Sequence, residues 1–339
     1  MMRSFGIGLF LLAATVSAQD VHFSQFPYAP FTVDPALTGD IPTDQRATLI
    51  YRDQWSSVGS PFRTYAAGYD LPLLKRRLGG RYLGLGLSAY RDRAGKSEFG
   101  DTRADLGIAY GLRAGGRSNI AFGLQAGYGQ RSAMLNELRW DSQFNGSGYD
   151  PTLPANEAVA DASVSFFDMA AGGAWTMALK SGLEWTLGGA AFHLLEPQVS
   201  LYGTSHDRLY RRYVVHGEVH WTAGRWEWMP RIYGSQQGGA REVLFGTMVE
   251  RRLGTDSRYT KNLTSNAVQF GCFYRWGDAV VPSVQFEYHR MLRAMVSYDV
   301  NISRLHKRSS YQGGFEVGLQ WIGAFKEQRV GLPGHKSGK

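Results

Sequence analysis

Apolar and polar residues alternate along most of this chain. The alternation recurs in about fourteen segments of ten or so residues between Arg46 and Ile322, and no long apolar run follows the first two dozen residues. Side chains of a β-strand point in turn to the two faces of the sheet, so each segment predicts a strand with one apolar and one polar face. Many such strands in succession are typical of a transmembrane β-barrel, whose outer face contacts lipid and whose lumen is polar.

The segment from Tyr213 to Trp221 shows this pattern most clearly. Its apolar face begins and ends with these two aromatic rings. Eight residues at ~3.3 Å each place the rings ~26 Å apart, close to the height of the lipid-facing band between two aromatic girdles. The opposite face carries His216, Glu218 and His220, which are too polar to face lipid.

The pattern predicts an all-β outer-membrane barrel of about 14 antiparallel strands. We expect them near residues 46–55, 62–71, 80–91, 101–112, 118–131, 164–177, 182–193, 212–222, 226–236, 241–252, 264–276, 280–289, 293–302 and 312–322. Single-chain bacterial barrels have an even number of strands, which places both termini on one side, taken here as the periplasmic side. The two longest connections, 132–163 and 194–211, then face outward. A closed barrel cannot be divided without exposing strand edges, so residues 46–322 are expected to form one domain.

Residues 1–18 have the parts of a secretory signal peptide. Arg3 gives a positive start, Phe5 to Ala14 is a short apolar stretch, and Val16-Ser17-Ala18 is a small-residue cleavage site before Gln19. The chain has one cysteine, Cys272, and it does not lie at the cleavage site. We therefore expect an exported protein with neither a lipid anchor nor an internal disulfide.

Two further segments lie outside the predicted barrel. Residues 19–45 are rich in proline and aromatic residues and show no period, so we expect them to be ordered only by packing in the lumen or against a periplasmic partner. His22, Phe23 and Phe26 are the candidate partner contacts of this segment. Residues 323–339 are polar and basic, and are expected to form a solvated periplasmic tail.

Composition narrows the choice of partners. The chain has 43% hydrophobic and 19% charged residues, and its net charge is +8, with basic residues scattered among acidic ones. Nucleic-acid binding is not expected, because such proteins concentrate basic residues in a patch or stripe. The positive excess instead suggests contact with anionic lipid headgroups or solvated loops.

Polar residues on the inferred lumen faces allow two interpretations. His216, Glu218 and His220 could hold a divalent metal if another strand added a ligand, but a hydrogen-bonded lumen wall is the favoured interpretation, and no metal or cofactor is predicted. Charged residues of both signs on other lumen faces are Asp70, Asp105, Arg231, Arg275, Glu287, His289, Asp299 and Glu316. They predict a cross-linked interior, with a selectivity ring as the alternative.

The sequence carries no recognisable catalytic motif. His193 and Ser200 are close in sequence, but no Gly-x-Ser-x-Gly turn presents a nucleophile. Gly84-x-Gly86 lacks the third glycine and the helix of a dinucleotide site. We therefore predict that the protein is not an enzyme.

Two outward regions are candidates for partner binding. Arg52 and Trp55 end the first predicted strand, where they could anchor an interface, although a girdle aromatic beside rim charges is the favoured interpretation. Trp140, Phe144 and Tyr149 lie in the long connection 132–163, and long outward loops often carry function, although an ordered lid without a partner is an equal alternative.

Several short motifs in order along the chain carry a family resemblance. They are His22-Phe23-Ser24-Gln25-Phe26, Asp34-Pro35-Ala36-Leu37-Thr38-Gly39, Tyr51-Arg52-Asp53-Gln54-Trp55, Tyr65 to Asp70, Asp92-Arg93-Ala94-Gly95, His193-Leu194-Leu195-Glu196-Pro197, Ser297-Tyr298-Asp299-Val300 and Phe315-Glu316-Val317. Together they resemble the PorP/SprF-type outer-membrane proteins of type IX secretion and gliding machinery. The resemblance implies a barrel that works with periplasmic and outer-membrane secretion components. It also implies that the barrel helps to export or hold a surface protein with a C-terminal sorting domain.

Two other function classes remain open from the sequence. A porin-like channel for small solutes is the main alternative, and steady conductance of the purified protein would support it. An outer-membrane hydrolase would require lipid turnover that a single Ser or His substitution abolishes.

Overall fold

A computed structural model describes residues 20–55, 61–75, 81–134, 139–154, 163–180, 182–201, 207–253, 265–303 and 312–323. These residues form a closed barrel of fourteen antiparallel strands. Each strand pairs with its neighbours in the chain, and the last strand pairs with the first, from Gln45 opposite Gly323 to Gln54 opposite Gly314. The predicted fold class is confirmed.

The strands are β1 Gln45–Gln54, β2 Phe62–Leu73, β3 Tyr82–Ala94, β4 Gly100–Arg113, β5 Ser118–Ser132, β6 Ser163–Lys180, β7 Leu183–Phe192, β8 Arg212–Ala223, β9 Trp226–Gln237, β10 Ala240–Leu253, β11 Asn266–Arg275, β12 Ala279–Tyr288, β13 Leu292–Asn301 and β14 Gln312–Gly323. No predicted strand end differs from the observed one by more than three residues. We call the end of the barrel that carries the connections after β5 and β7 the outer end, and the opposite end the periplasmic end.

The two faces of the wall separate as the alternation predicts. In β8, Val215 is 66% exposed and Trp221 is 52% exposed on the outside, whereas His216 is 7% exposed in the lumen. In β14, Phe315 and Leu319 face outward while Glu316 is fully buried inside. Apolar side chains that would be buried in a water-soluble protein are exposed here because lipid is their solvent.

Two prolines and one bulge interrupt the hydrogen-bond ladders. Pairing of β8 with β9 skips the positions beside Pro230, and pairing of β12 with β13 skips those beside Pro282. A proline has no amide hydrogen to donate, which explains both gaps. A register shift between Tyr298 and Val300 in the pairing of β13 with β14 brackets Asp299. His289, which we expected on a lumen face, lies in the turn after β12 and stacks on Tyr288 at 4.0 Å.

Residues 20–44, which we call the lumen segment, lie inside the barrel. The segment contains a 3-10 turn Phe26–Tyr28, a one-turn helix α1 Pro30–Val33, and a second 3-10 turn Pro35–Leu37. Most of its apolar side chains are buried, including Phe23, Phe26 and Phe31. Helices of the described residues are all too short or too polar to span a membrane.

The lumen segment runs the length of the barrel. Asp20 lies near the outer end, where its amide donates to Oε1 of Gln237, the last residue of β9, at 2.8 Å. Gly39 lies near the periplasmic end, against Leu71 and Gly84. The chain therefore passes through the lumen before β1 begins at the periplasmic rim.

Candidate functional site

An ion-pair network lies in the lumen beside the pairing of β14 with β1. Arg52 Nη2 is 2.8 Å from Asp299 Oδ2, and Arg275 Nη1 is 2.9 Å from the same oxygen. Arg52 also pairs with Glu316, its direct register partner across the two strands. Each of these side chains is at most 5% exposed. The network, which we call the Arg52 network, ties together β1, β11, β13 and β14.

The lumen segment completes the Arg52 network. The amides of Ser24 and Gln25 donate to the two carboxylate oxygens of Glu316, at 2.7 and 3.0 Å. The Ser24 hydroxyl donates to Asp299 at 2.7 Å and accepts from Arg52 at 2.9 Å. It also accepts from Arg275. One tight turn of the segment therefore satisfies acceptors and donors from four strands, which buried charges require.

A second cluster, the His193 network, holds the start of the lumen segment. His193 Nε2 is 3.0 Å from Asp20 Oδ2, and its Nδ1 is 2.7 Å from Asp168 Oδ2. Arg103 bridges Asp168 and Asp105 at 2.7 Å each. Burial alone would lower the pKa of His193, but its hydrogen bonds with Asp168 and Asp20 outweigh burial and raise it.

Backbone conformation places His193 between these two carboxylates. His193 follows the last residue of β7 with a φ of +57°, a conformation that is uncommon for a residue with a side chain. Its side chain is fully enclosed in the lumen, where Asp20 and Asp168 stabilise the charged imidazole.

A third set of contacts holds the segment at the periplasmic end. Asp70 accepts from Arg46 at 2.7 Å and from the amide of Gly39 at 2.7 Å. Arg46 also donates to the carbonyl of Leu37 at 3.1 Å. Gly84 leaves room for this turn, because a Cβ there would lie 2.0 Å from the carbonyl oxygen of Thr38.

The side chains of β8 that were candidates for a metal site have other partners. His216 Nε2 is 3.0 Å from Asp34 Oδ2, and Asp34 also accepts from the amide of Ala36 at 2.8 Å. Glu218 pairs with Arg231 at 2.6 Å and with His220 at 3.1 Å. Among the described residues, no three His, Cys, Asp or Glu side chains converge as a metal site would require.

A polar cavity of about 700 Å³ lies in the periplasmic half of the lumen, beside the lumen segment. Charged residues from the periplasmic halves of β8, β9, β10, β12 and β13 line it: Glu218, His220, Glu227, Arg231, Glu250, Arg252, Glu287 and Arg293. Its lining mixes both signs of charge, with pairs such as Arg293 and Glu287 at 2.6 Å. The outer part of the lumen is instead occupied by the segment, which contacts strands on opposite sides of the barrel.

Four predicted partner contacts lie in or at the lumen rather than on the surface. Arg52, Phe23 and Phe26 are buried, at 2%, 4% and 7% exposed, and His22 is half-buried. Burial lowers the pKa of His22 to about 4, with the charge of Glu242 opposing this shift and those of Arg52 and Arg275 adding to it. These residues could contact another protein only if the lumen segment moved, and their assignment to partner binding stays a prediction.

The other four predicted contacts lie at the outer end. Trp55 directly follows β1 with a φ of +66° and is half-buried. Residues 139–154 form a compact unit in which Phe144 pairs with Tyr149 in a β-bridge, while Trp140 precedes a 3-10 turn. Phe144 is 61% exposed, and Tyr149 is 38% exposed. The described contacts do not test the role of these four residues in partner binding, which also stays a prediction.

Sequence reasoning missed the His193 network. Asp168 lies in the Gly-rich and Ala-rich β6, where the two faces are hard to separate in the sequence, and Asp20 lies in the aperiodic segment. His193 and Arg212 stand at strand ends. One sequence feature could have indicated this network: charged residues concentrate at the ends of strands whose outer faces are apolar.

The family of the chain is shown by a match over nearly its whole length. The model of a family described as "Type IX secretion system membrane protein PorP/SprF" matches residues 15–321. The chain belongs to the PorP/SprF family. Together, the barrel and the family support a location in the outer membrane.

Several solved structures are similar to this PorP/SprF protein at low identity. The CymD monoaromatic hydrocarbon channel is 9% identical, with 88% of this chain and 93% of that chain covered and a TM-score of 0.48. The KdgM porin is 6% identical, with 82% and 99% covered and a TM-score of 0.39. BamA from Haemophilus ducreyi is 9% identical, with 82% and 70% covered and a TM-score of 0.38. No curated protein sequence matches the chain.

Proposed function

We propose that this PorP/SprF protein is a non-enzymatic component of type IX secretion or gliding machinery. It would help to export or hold a surface protein that carries a C-terminal sorting domain, through protein contacts at the two ends of the barrel. The signal peptide at residues 1–18 would deliver it to the periplasm for assembly. Family membership supports this proposal, because the match covers almost the whole chain.

The occupied lumen is the observation that favours a binding role over solute passage. Three separate sets of buried contacts hold the lumen segment, one each at Ser24, Asp20 and Gly39. Breaking a buried ion pair by removing one partner costs about 3–5 kcal/mol, so a segment held in this way does not leave the lumen by thermal motion. A barrel filled by its own chain offers its ends and loops for contact.

The porin-like alternative has one supporting observation. The periplasmic cavity is large and lined with both signs of charge, as a solute pathway could be. Passage to the outside would require displacement of the lumen segment. The two functions therefore differ in what the intact protein does in a bilayer.

The outer unit 139–154 is the proposed contact for the secreted protein. Phe144 and Tyr149 are exposed on a folded support, and Arg139 lies 4.8 Å from the centre of the Tyr149 ring. Exposed aromatic rings near an arginine are characteristic of interface hot spots. The unit would offer rigid apolar anchors at the cell surface.

Deletion of residues 141–160 tests this proposal in cells that produce the secreted partner. We expect the shortened protein to keep the heat-modifiable mobility of a folded barrel and to lose surface display of the partner. The double substitution Phe144→Ser with Tyr149→Ser should reproduce the loss. Asp141→Asn with Asp150→Asn, in the same unit, is the matched control and should display normally. Normal display by the deletion would exclude this unit as the partner site.

A further inference from the structure

A cluster of basic side chains lies on the outward face of the barrel at its outer rim. Arg63 in β2, Arg91 and Arg93 in β3, and Lys96 in the turn after β3 form this cluster, which we call the rim patch. The side chains of Arg63 and Arg91 are each 53% exposed. They lie on the face that contacts lipid, because the neighbouring inward positions Thr64 and Asp70 of β2 are buried.

The strand register forces these like charges together. Arg63 lies directly opposite Arg93 in the pairing of β2 with β3, and Arg91 lies opposite Tyr65. Cβ atoms of opposed residues are about 5 Å apart, and like charges in that arrangement destabilise a sheet. Arg91 and Arg93 are ~6.6 Å apart along one strand. An anion between the three guanidinium groups would relieve this repulsion.

The acidic groups near the rim patch do not fully satisfy it. Arg63 is 3.4 Å from Asp53, and Arg91 is 3.4 Å from Glu98. Both distances are longer than the roughly 2.7–2.9 Å of a strong charge-assisted hydrogen bond. On the lumen side of the neighbouring strands, by contrast, Arg131 and Asp101 meet at 2.8 Å.

Arg93 is anchored at the rim patch by its neighbours. Its Nη1 donates to the carbonyl of Glu98 and to the hydroxyl of Ser132, each at 2.9 Å. Its Nε is buried and has no hydrogen-bond partner among the residues that the structure describes. The guanidinium group is therefore held in place by Glu98 and Ser132, and its positive charge stays beside Arg63 at the rim.

The rim patch lies at the level where lipid headgroups begin. Directly below it, the rings of Tyr51 and Tyr65 are 4.9 Å apart, and Tyr65 is 53% exposed. Further down the same wall, Leu49 and Leu87 are exposed on the lipid face. Tyrosines of this kind form the girdle at the membrane interface, so the arginines above them reach the phosphate layer of the outer leaflet.

We propose that the rim patch binds the phosphate groups of an outer-leaflet glycolipid. Guanidinium groups bind phosphate oxygens in a bidentate fashion, and three of them can share one phosphate or hold two. The patch opens sideways above apolar side chains, so a phosphate attached to acyl chains fits it better than free phosphate does. This binding site is independent of the proposed role in secretion.

Lipid binding by the full-length protein tests the proposal. Wild-type protein in neutral detergent micelles is titrated with bisphosphorylated lipid A, with dephosphorylated lipid A and with inorganic phosphate. We expect the triple substitution Arg63→Gln, Arg91→Gln and Arg93→Gln to weaken binding of the bisphosphorylated lipid at least about tenfold. The control triple Arg211→Gln, Arg241→Gln and Arg251→Gln removes the same charge elsewhere and should bind like the wild type.

Three outcomes would overturn the proposal. They are unchanged binding by the rim-patch variant, equal binding of the dephosphorylated lipid, and inorganic phosphate binding as tightly as the lipid. Heat-modifiable mobility reports whether each variant is folded. If the triple variant does not fold, the single substitution Arg91→Gln still tests the site, because that side chain is exposed and its ion pair with Glu98 is long, at 3.4 Å. A loss of about threefold is expected for it, and unchanged binding would count against the site.

Discussion

Single side chains of this PorP/SprF protein hold several elements at once, and Glu316 is the clearest case. Its carboxylate accepts from two amides of the lumen segment and pairs with Arg52 across the junction of β14 with β1. The substitution Glu316→Gln would leave the buried charge of Arg52 less compensated. We expect it to destabilise the barrel by about 3–5 kcal/mol, measured by the urea midpoint of heat-modifiable mobility.

The matched control is Glu196→Gln. Glu196 is 34% exposed and pairs with Arg211 at 3.6 Å, so this substitution should cost less than about 1 kcal/mol. Equal midpoints for the two variants would show that burial of the Arg52 network does not contribute to stability.

Two histidines of the lumen, His22 and His193, make the stability of the protein depend on pH in opposite directions. His22 has an ordinary pKa of 6.5, which burial lowers to about 4 in the folded protein. Between pH 6.5 and about 4, the unfolded chain therefore binds a proton at His22 that the folded protein does not bind. The free energy of unfolding consequently falls as the pH is lowered from 6.5 towards 4. His193 has a raised pKa, so its contribution is complete below 6.5 and is lost as the pH rises through the folded-state value.

The substitution His22→Gln should flatten the dependence of the urea midpoint on pH between 6.5 and about 4. His193→Gln should leave that slope unchanged and should flatten the dependence above 6.5. A slope that persists below 6.5 in the His22→Gln protein would assign the effect to another group.

Among the elements, the lumen segment depends on small residues in the wall. A Cβ at Gly84 would lie 2.0 Å from the carbonyl oxygen of Thr38, which is backbone and cannot rotate away. Gly84→Ala should therefore displace the turn at Thr38 and Gly39, with a cost of about 1–3 kcal/mol. Limited proteolysis should then cut the segment faster than in the wild type.

Gly116→Ala is the control for this prediction. Gly116 lies in the turn between β4 and β5, where an added Cβ would meet no atom within 4 Å. Its proteolysis should match the wild type. If Gly84→Ala were cut no faster than this control, the turn would be held without the close approach.

The strands were predictable because residues that face lipid are apolar and the alternate residues, which face the lumen, are polar. The exceptions, β6 and β7, have a physical reason that the sequence does not show. A Cβ at Gly172 in β6 would lie 2.0 Å from Asp34 Oδ1, so the inward face is small rather than polar where the segment passes. Alternation between apolar and small residues is weaker than alternation between apolar and charged ones.

The path of the lumen segment could not be predicted, because its order comes from contacts distant in sequence. Ser24 bonds to Asp299 and Glu316, and Asp20 to His193. Alternation did place Asp299 and Glu316 in the lumen, and both are buried there. The alternation assigned each side chain to a face of the wall but did not identify its partner. Partners depend on the register between strands and on the position of the lumen segment, which the alternation does not specify.

At the scale of the whole molecule, the barrel is asymmetric along its axis. The outer part of the lumen contains the segment and two buried ion networks, whereas the periplasmic half keeps a polar cavity of about 700 Å³. We therefore expect residues 20–39 to obstruct any pathway through the protein. This arrangement makes a direct prediction about conductance.

The full-length protein in a planar bilayer should show no steady open current, and a protein lacking residues 20–39 should show one. Removal of the segment leaves a lumen lined with Arg52, Arg103 and Arg275 and with their acidic partners Asp299 and Asp168. Water and ions can fill a lumen with such a polar surface.

Removal of residues 324–339 is the control, because the described lumen lining does not include them. This variant should show no steady current. Heat-modifiable mobility confirms that each protein is folded. Equal, steady currents from the full-length and the shortened protein would contradict a closed lumen and would favour the porin-like function over the proposed role in secretion.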